Sequence, residues 1–130
     1  IKFEQKPFVP EYRFNISSMN PDAYVYIPTD CQQDATECRV HVALHGCEQG
    51  IQSIKEKYVT GTGYLEVAEA NQLIVLFPQV DKSSFIPYNP KGCWDFWGYT
   101  NNSWPPYTYY TKDAIQMRAI KAMLDHLTAG

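Results

Sequence analysis

The residues best placed to do chemistry are His45, Gly46 and Cys47, in the stretch VALHGCEQG at 42–50. An apolar run stops there at a glycine and turns polar, as a strand does when it feeds a loop. Ester hydrolysis puts negative charge on the carbonyl oxygen, and fixed backbone N–H groups aimed at that oxygen lower the barrier. In this reading Gly46 permits the tight turn, Cys47 presents its N–H as an oxyanion donor, and His45 positions the loop. An ordinary glycine turn after a strand would look the same in so short a motif.

Other chemistries fit these residues less well. His41 and His45 share one face of the expected strand and suggest a metal with Cys47 or Glu48. Four residues of strand separate them by about 13 Å, too far for one ion, so no metal is expected, and ester hydrolysis through an oxyanion donor needs no organic cofactor. Cys47 as a nucleophile competes with disulfide formation. The chain has four cysteines, Cys31, Cys38, Cys47 and Cys93, in no zinc-finger spacing. Cys31 and Cys38 flank a polar loop that a local bridge would close, leaving Cys47 and Cys93 for a long-range one. Two disulfides imply an oxidising compartment, so a secreted or periplasmic location is expected; four buried thiols in a cytosolic protein is the competing reading.

The elements that must hold this loop follow from periodicity. AYVYIP at 23–28 and RVHVALHG at 39–46 read as strands, the second with Val40, Val42 and Leu44 on one face. TGTGYLEVAEANQ at 60–72 becomes helical, with Leu65, Ala68 and Val67 facing inward. LIVLFPQ at 73–79 is a short apolar run closed by Pro78, as a buried parallel strand would be. Strand, loop, helix and strand make a βαβ unit with a right-handed crossover. A helix from about Thr111 presents the stripe Met117, Ile120, Leu124 and Leu127. The whole of 1–130 reads as a single α/β unit of three to four mostly parallel strands with flanking helices.

Residues 80–110 differ in kind. Ten aromatic residues occur from Phe85 to Tyr110, with prolines at 87, 90, 105 and 106, a long irregular excursion of the sort that carries function. Trp97, Tyr99, Trp104 and Tyr107 could wall an apolar substrate groove, while Trp94 and either Phe96 or Trp97 are expected in the core. Asp95 is expected to tie this segment down by hydrogen bonds.

Taken together, CRVHVALHGCEQG, TGYLEVAEANQLIVLFPQ, NPKGCWDFWGY and QMRAIKAMLDHL resemble the poly(3-hydroxybutyrate) depolymerase family, loosely from Lys2-Phe3-Glu4-Gln5 and closely from about Tyr24 to Leu127. The resemblance implies an α/β-hydrolase fold and a serine esterase cleaving an aliphatic polyester. It also implies an omission. The chain has no G-x-S-x-G, and Ser17, Ser18, Ser53, Ser83, Ser84 and Ser103 lie in no strand–turn–helix elbow. The catalytic Ser, Asp and His are therefore expected outside this chain. The arrangement is similar to the C-terminal half of a circularly permuted member, although the conventional order would put the serine after Gly130.

The expected partners are a polyester or oligomer and the remaining half of the hydrolase domain, in cis or as a second chain. The formal charge of −3, with acids and bases mixed, gives no footprint for nucleic acid, and no apolar run is long enough to span a membrane. The 130 residues alone should be inactive. A non-catalytic module that grips polymer or carbohydrate with its aromatic loop is the alternative from another class.

Overall fold

In the computed structural model the described residues are 1–10, 14–32, 38–85, 87–100 and 109–128. The strands are β1 (Lys2–Glu4), β2 (Asp22–Tyr26), β3 (Arg39–Val42) and β4 (Leu73–Phe77). They form one sheet in the order β1-β2-β4-β3. β3 and β4 are parallel with Val40 opposite Ile74, whereas β2 is antiparallel to both β1 and β4. The sheet is thus mixed, with one parallel pair, and not mostly parallel. β2 is followed directly by β3 in sequence, yet β4 lies between them, so the sheet centre is the most apolar strand.

The helices are α1 (Phe14–Ser17), α2 (Ile51–Ile54), α3 (Lys57–Gly61), α4 (Tyr64–Asn71) and α5 (Ile115–Thr128). Gly63 takes φ +85° at the start of α4, and Gln72 takes φ 54° at its end, donating its N–H to Ala68. That left-handed residue turns the chain straight into β4. The expected βαβ unit is present as β3-α4-β4, with α2 and α3 inside its connection.

Alternation along β4 covers both faces of the sheet. Ile74 and Leu76 join Val25, Ile115, Ala119 and Met123 in one cluster. Val75 and Phe77 join Tyr24, Ala43, Val59 and Ala68 in the other. Burying each large side chain contributes about 1.5–3 kcal/mol, so β4 anchors both layers.

Two helix faces differ from expectation. In α4, Leu65 and Ala68 face inward, but Val67 is half exposed at 54%. α5 starts at Ile115, and its inner line is Ile115, Ala119 and Met123, flanked by Ile120, Leu124 and Leu127. Met117 points outward and Gln116 is buried in its place, because Gln116 Nε2 donates to Ser17 O (2.9 Å) and to the Tyr99 hydroxyl (2.6 Å).

Candidate functional site: the loop after the third strand

β3 is shorter than its apolar pattern suggests. Its last ladder contact beyond Val42 is Ala43 N–H to Leu76 O at 2.9 Å. The chain then leaves the sheet, so Leu44 is exposed and does not share the packed face of Val40 and Val42. His45 turns inward and is almost fully buried.

His45 is committed at both ring nitrogens. Nε2 accepts the Val80 N–H at 3.2 Å, and Nδ1 lies 2.7 Å from Gly46 O. An amide N–H can only donate, so Nε2 carries the lone pair and Nδ1 the proton. The ring is therefore the neutral Nδ1–H tautomer, and burial holds its pKa below the ordinary histidine value. It lies between Trp94 (centroids 5.6 Å apart) and Tyr58 (6.2 Å). Trp94 Nε1 donates to His45 O at 3.1 Å, and the Tyr58 hydroxyl to Leu44 O at 2.8 Å. With no free nitrogen, this imidazole shuttles no proton and ligates no metal. It fixes the loop.

Gly46 N–H donates to Gln49 Oε1 at 2.7 Å, and Gln49 N–H returns to Gly46 O at 3.1 Å. Glu48, at φ 59°, donates its N–H to Lys91 O at 2.7 Å. From Gly46 to Gln49, Cys47 alone has a backbone N–H with no acceptor among the described residues, and Cys47 is exposed. Its side chain is in a disulfide with Cys93, and Cys31 pairs with Cys38. No thiolate is therefore available at residue 47.

Cys93 is itself held firmly. Its N–H donates to Asn89 Oδ1 at 2.9 Å, and its carbonyl accepts from Asn89 Nδ2 at 3.0 Å and the Tyr99 hydroxyl. Asn89 is fully buried and also donates to Ser18 Oγ at 3.0 Å. Asp95 accepts the backbone N–H groups of Trp97, Gly98, Tyr99 and Thr100, at 2.6 to 3.2 Å. It ties the aromatic segment down as expected. Burial pushes the Tyr99 phenol well up, so it remains a neutral donor.

Of the residues expected at a substrate wall, Trp97 is 39% exposed and meets Phe96 edge-on and Tyr99 at a tilt, with centroids 4.6 and 4.9 Å away. Phe96 is 70% exposed, so neither Phe96 nor Trp97 is a core ring, whereas Trp94 packs against the core. The Tyr99 hydroxyl is used internally. Trp104 and Tyr107 lie outside the described residues.

The buried amides Gln5, Gln79, Asn89 and Gln116 have no place in the chemical reading of the sequence. Gln79 Oε1 accepts Ile51 N–H at 2.9 Å, and its own N–H donates to Gln5 Oε1 at 3.1 Å, which ties α2 to the end of β4. A polar residue directly after LIVLFP, and another within the α5 stripe, are the signals that could have found Gln79 and Gln116. No serine hydroxyl bonds a histidine among the described residues; Ser17 Oγ donates to Phe14 O and Ser18 Oγ to Asp81 O. Nor is there a cluster of three or more potential metal ligands among them.

Comparison with known proteins follows the same lines as the motifs. No family model matches the chain. It is 35% identical over 131 residues to a poly(3-hydroxybutyrate) depolymerase of Delftia acidovorans, covering all of this chain and 24% of that protein. It is 32% identical over 125 residues to a polyhydroxybutyrate depolymerase of Talaromyces funiculosus, covering 90% of this chain and 35% of that one. Among solved structures, a PHB depolymerase from Penicillium funiculosum and a PHB depolymerase complexed with an R3HB trimer each superpose with a TM-score of 0.73 at 28% identity. Each covers 99% of this chain, which spans 40% of theirs. The chain thus spans about a quarter to a third of the curated relatives it matches.

Proposed function

We propose, from a likeness to poly(3-hydroxybutyrate) depolymerases that holds in both sequence and fold, that this chain is the oxyanion-loop and substrate-wall portion of a serine esterase acting on aliphatic polyester. The observation that carries the proposal is the backbone N–H of the exposed residue Cys47, which has no acceptor among the described residues. It sits on a loop fixed by His45 on one side and by the Cys93 disulfide on the other. A donor preorganised in this way stabilises a tetrahedral oxyanion without reorganising during the reaction. Gly46 N–H is occupied by Gln49 Oε1, so Cys47 supplies one donor and the second comes from the nucleophile's own segment.

The serine that attacks the ester carbonyl, the histidine that takes its proton and the acid that orients that histidine belong to the rest of the hydrolase domain, in cis or in a second chain. In the permuted order they precede this segment. Trp97, with Phe96 beside it, offers an exposed aromatic wall to an uncharged aliphatic chain. The disulfides fit a secreted or periplasmic protein, and no described helix is long and apolar enough to cross a membrane.

The test is a chimera in which these 130 residues replace the matching segment of the Talaromyces funiculosus relative. Hydrolysis of p-nitrophenyl butyrate by the folded chimera, but not by the 130-residue chain alone, is the expected result. A folded chimera without turnover would remove the proposal. It would favour a polymer- or carbohydrate-binding module, the reading to which the exposed Phe96 and Trp97 rings also lend themselves.

A further inference from the structure

Arg118 and Gln116 are two residues apart on α5, about 200° around the helix axis. Gln116 faces Asp95 and Tyr99, so Arg118 faces away from the loop site. There it lines a groove of about 320 Å³ between α5 and the segment that follows β1, with Lys112, Lys121, Asp125, Phe8 and Ala122 among the other walls. Arg118, Lys121, Ala122 and Asp125 recur at helical spacing and form one stripe of α5. Phe8 is held in place by edge contacts with Phe3 (6.1 Å) and His126 (5.5 Å).

The charge of this groove is unlike that of the chain. The protein carries −3 overall, whereas the groove gathers Lys112, Arg118 and Lys121 around a single acid, Asp125. Lys121 is paired with Asp125. Neither the Arg118 guanidinium nor the Lys112 ammonium has a hydrogen-bonding or ion-pair partner among the described residues. Two cations without partners among the described residues therefore share this groove with the Phe8 ring, Pro10 and the Ala122 methyl group.

We propose that this groove is a binding site for a small organic carboxylate with a short aliphatic body. A guanidinium presents paired N–H donors that match a carboxylate, and Lys112 adds a second positive charge. The Phe8 ring and Ala122 take the hydrocarbon. An inorganic anion would leave that apolar half unused, and a neutral alcohol would leave the cations unused. The volume is at the lower end of small-molecule pockets, which suits a ligand of a few carbons and not a macromolecular face. The site lies outside the loop chemistry and stands whether or not the chain belongs to an esterase.

The experiment is titration of the isotope-labelled 130-residue chain with valerate, followed by amide NMR, with 1-pentanol and inorganic phosphate as matched probes. Valerate is expected to give saturable shifts at residues 118–125 and at Phe8, weakened by added salt. Pentanol and phosphate should each bind several-fold more weakly. Arg118→Gln, which preserves helix propensity, should weaken valerate several-fold while leaving the spectrum otherwise folded. Equal binding of phosphate and valerate would show a simple basic patch and overturn the proposal, as would absence of saturable shifts. Should Arg118→Gln fail to fold, the comparison of the three probes on the unaltered chain decides by itself.

Discussion

His45 carries more structural responsibility than its position in a catalytic-looking motif suggests. Replacing it with Phe keeps an aromatic ring, somewhat larger than imidazole, but leaves the Val80 N–H without its acceptor in a buried site. A loss of about 1–3 kcal/mol is expected in urea unfolding. The same ring makes stability depend on pH. Its folded pKa lies below the unfolded 6.5, so the unfolded chain binds the proton first as pH falls. The stability His45 gives is complete above 6.5 and declines as pH drops from there toward the folded value. Asp81 acts oppositely further down, because burial raises its folded pKa above 3.8 and the native state then holds the extra proton. Urea midpoints measured between pH 7.5 and 5 should therefore fall in wild type more than in His45→Phe. Glycines near this ring are unequal in their tolerance. A Cβ on Gly50 would meet Val80 O at 2.7 Å and the His45 ring at 3.2 Å, whereas one on Gly46 meets the movable tip of Gln49 at 2.8 Å. Gly50→Ala should cost about 1–3 kcal/mol and Gly46→Ala distinctly less, measurable by the same unfolding curves.

At the scale of elements, the parts legible in the sequence are those whose signal is local. LIVLF reads as a buried strand because five apolar residues end at a proline, and the two cysteine pairings follow from one short polar loop. Strand direction is not local: nothing in AYVYIP says that β2 runs antiparallel to β4, since that depends on where the intervening chain turns. β1 shows only a three-residue pattern, too short to distinguish from coil. The α5 stripe was displaced because Gln116 finds buried partners, which no periodicity reveals. At the site, the HGC turn was legible and its rigid supports, the Val80 N–H behind His45 and Asn89 behind Cys93, were not. The disulfides also differ by element. Breaking Cys47–Cys93 with serine releases a loop of 46 residues, against 7 for Cys31–Cys38. Chain entropy then predicts losses of about 4 and about 2.4 kcal/mol, a difference that calorimetry can resolve.

For the whole molecule, the informative boundary is the outer edge of β3. Ala43 N–H points to β4, so by alternation the amides of Val40 and Val42 point to the opposite side, where no strand lies among the described residues. Hydrogen exchange should find Val40 and Val42 fast and His41 and Ala43 slow in the 130-residue chain. Protection of Val40 and Val42 in a larger assembly would show another strand seated on that edge, as the proposed remainder of the domain requires.

The Cys47–Cys93 bridge has a consequence for how the protein would be seen to break. It makes a covalent ring that encloses α2, α3, α4 and β4 and leaves α5 outside. Within that ring Phe85 and Tyr88 are among the most exposed large side chains, at 86% and 61%, and invite an aromatic-directed protease. A cut there opens the ring without parting the chain. The nicked protein would keep its full mass on a non-reducing gel and separate into two pieces only when a thiol is added.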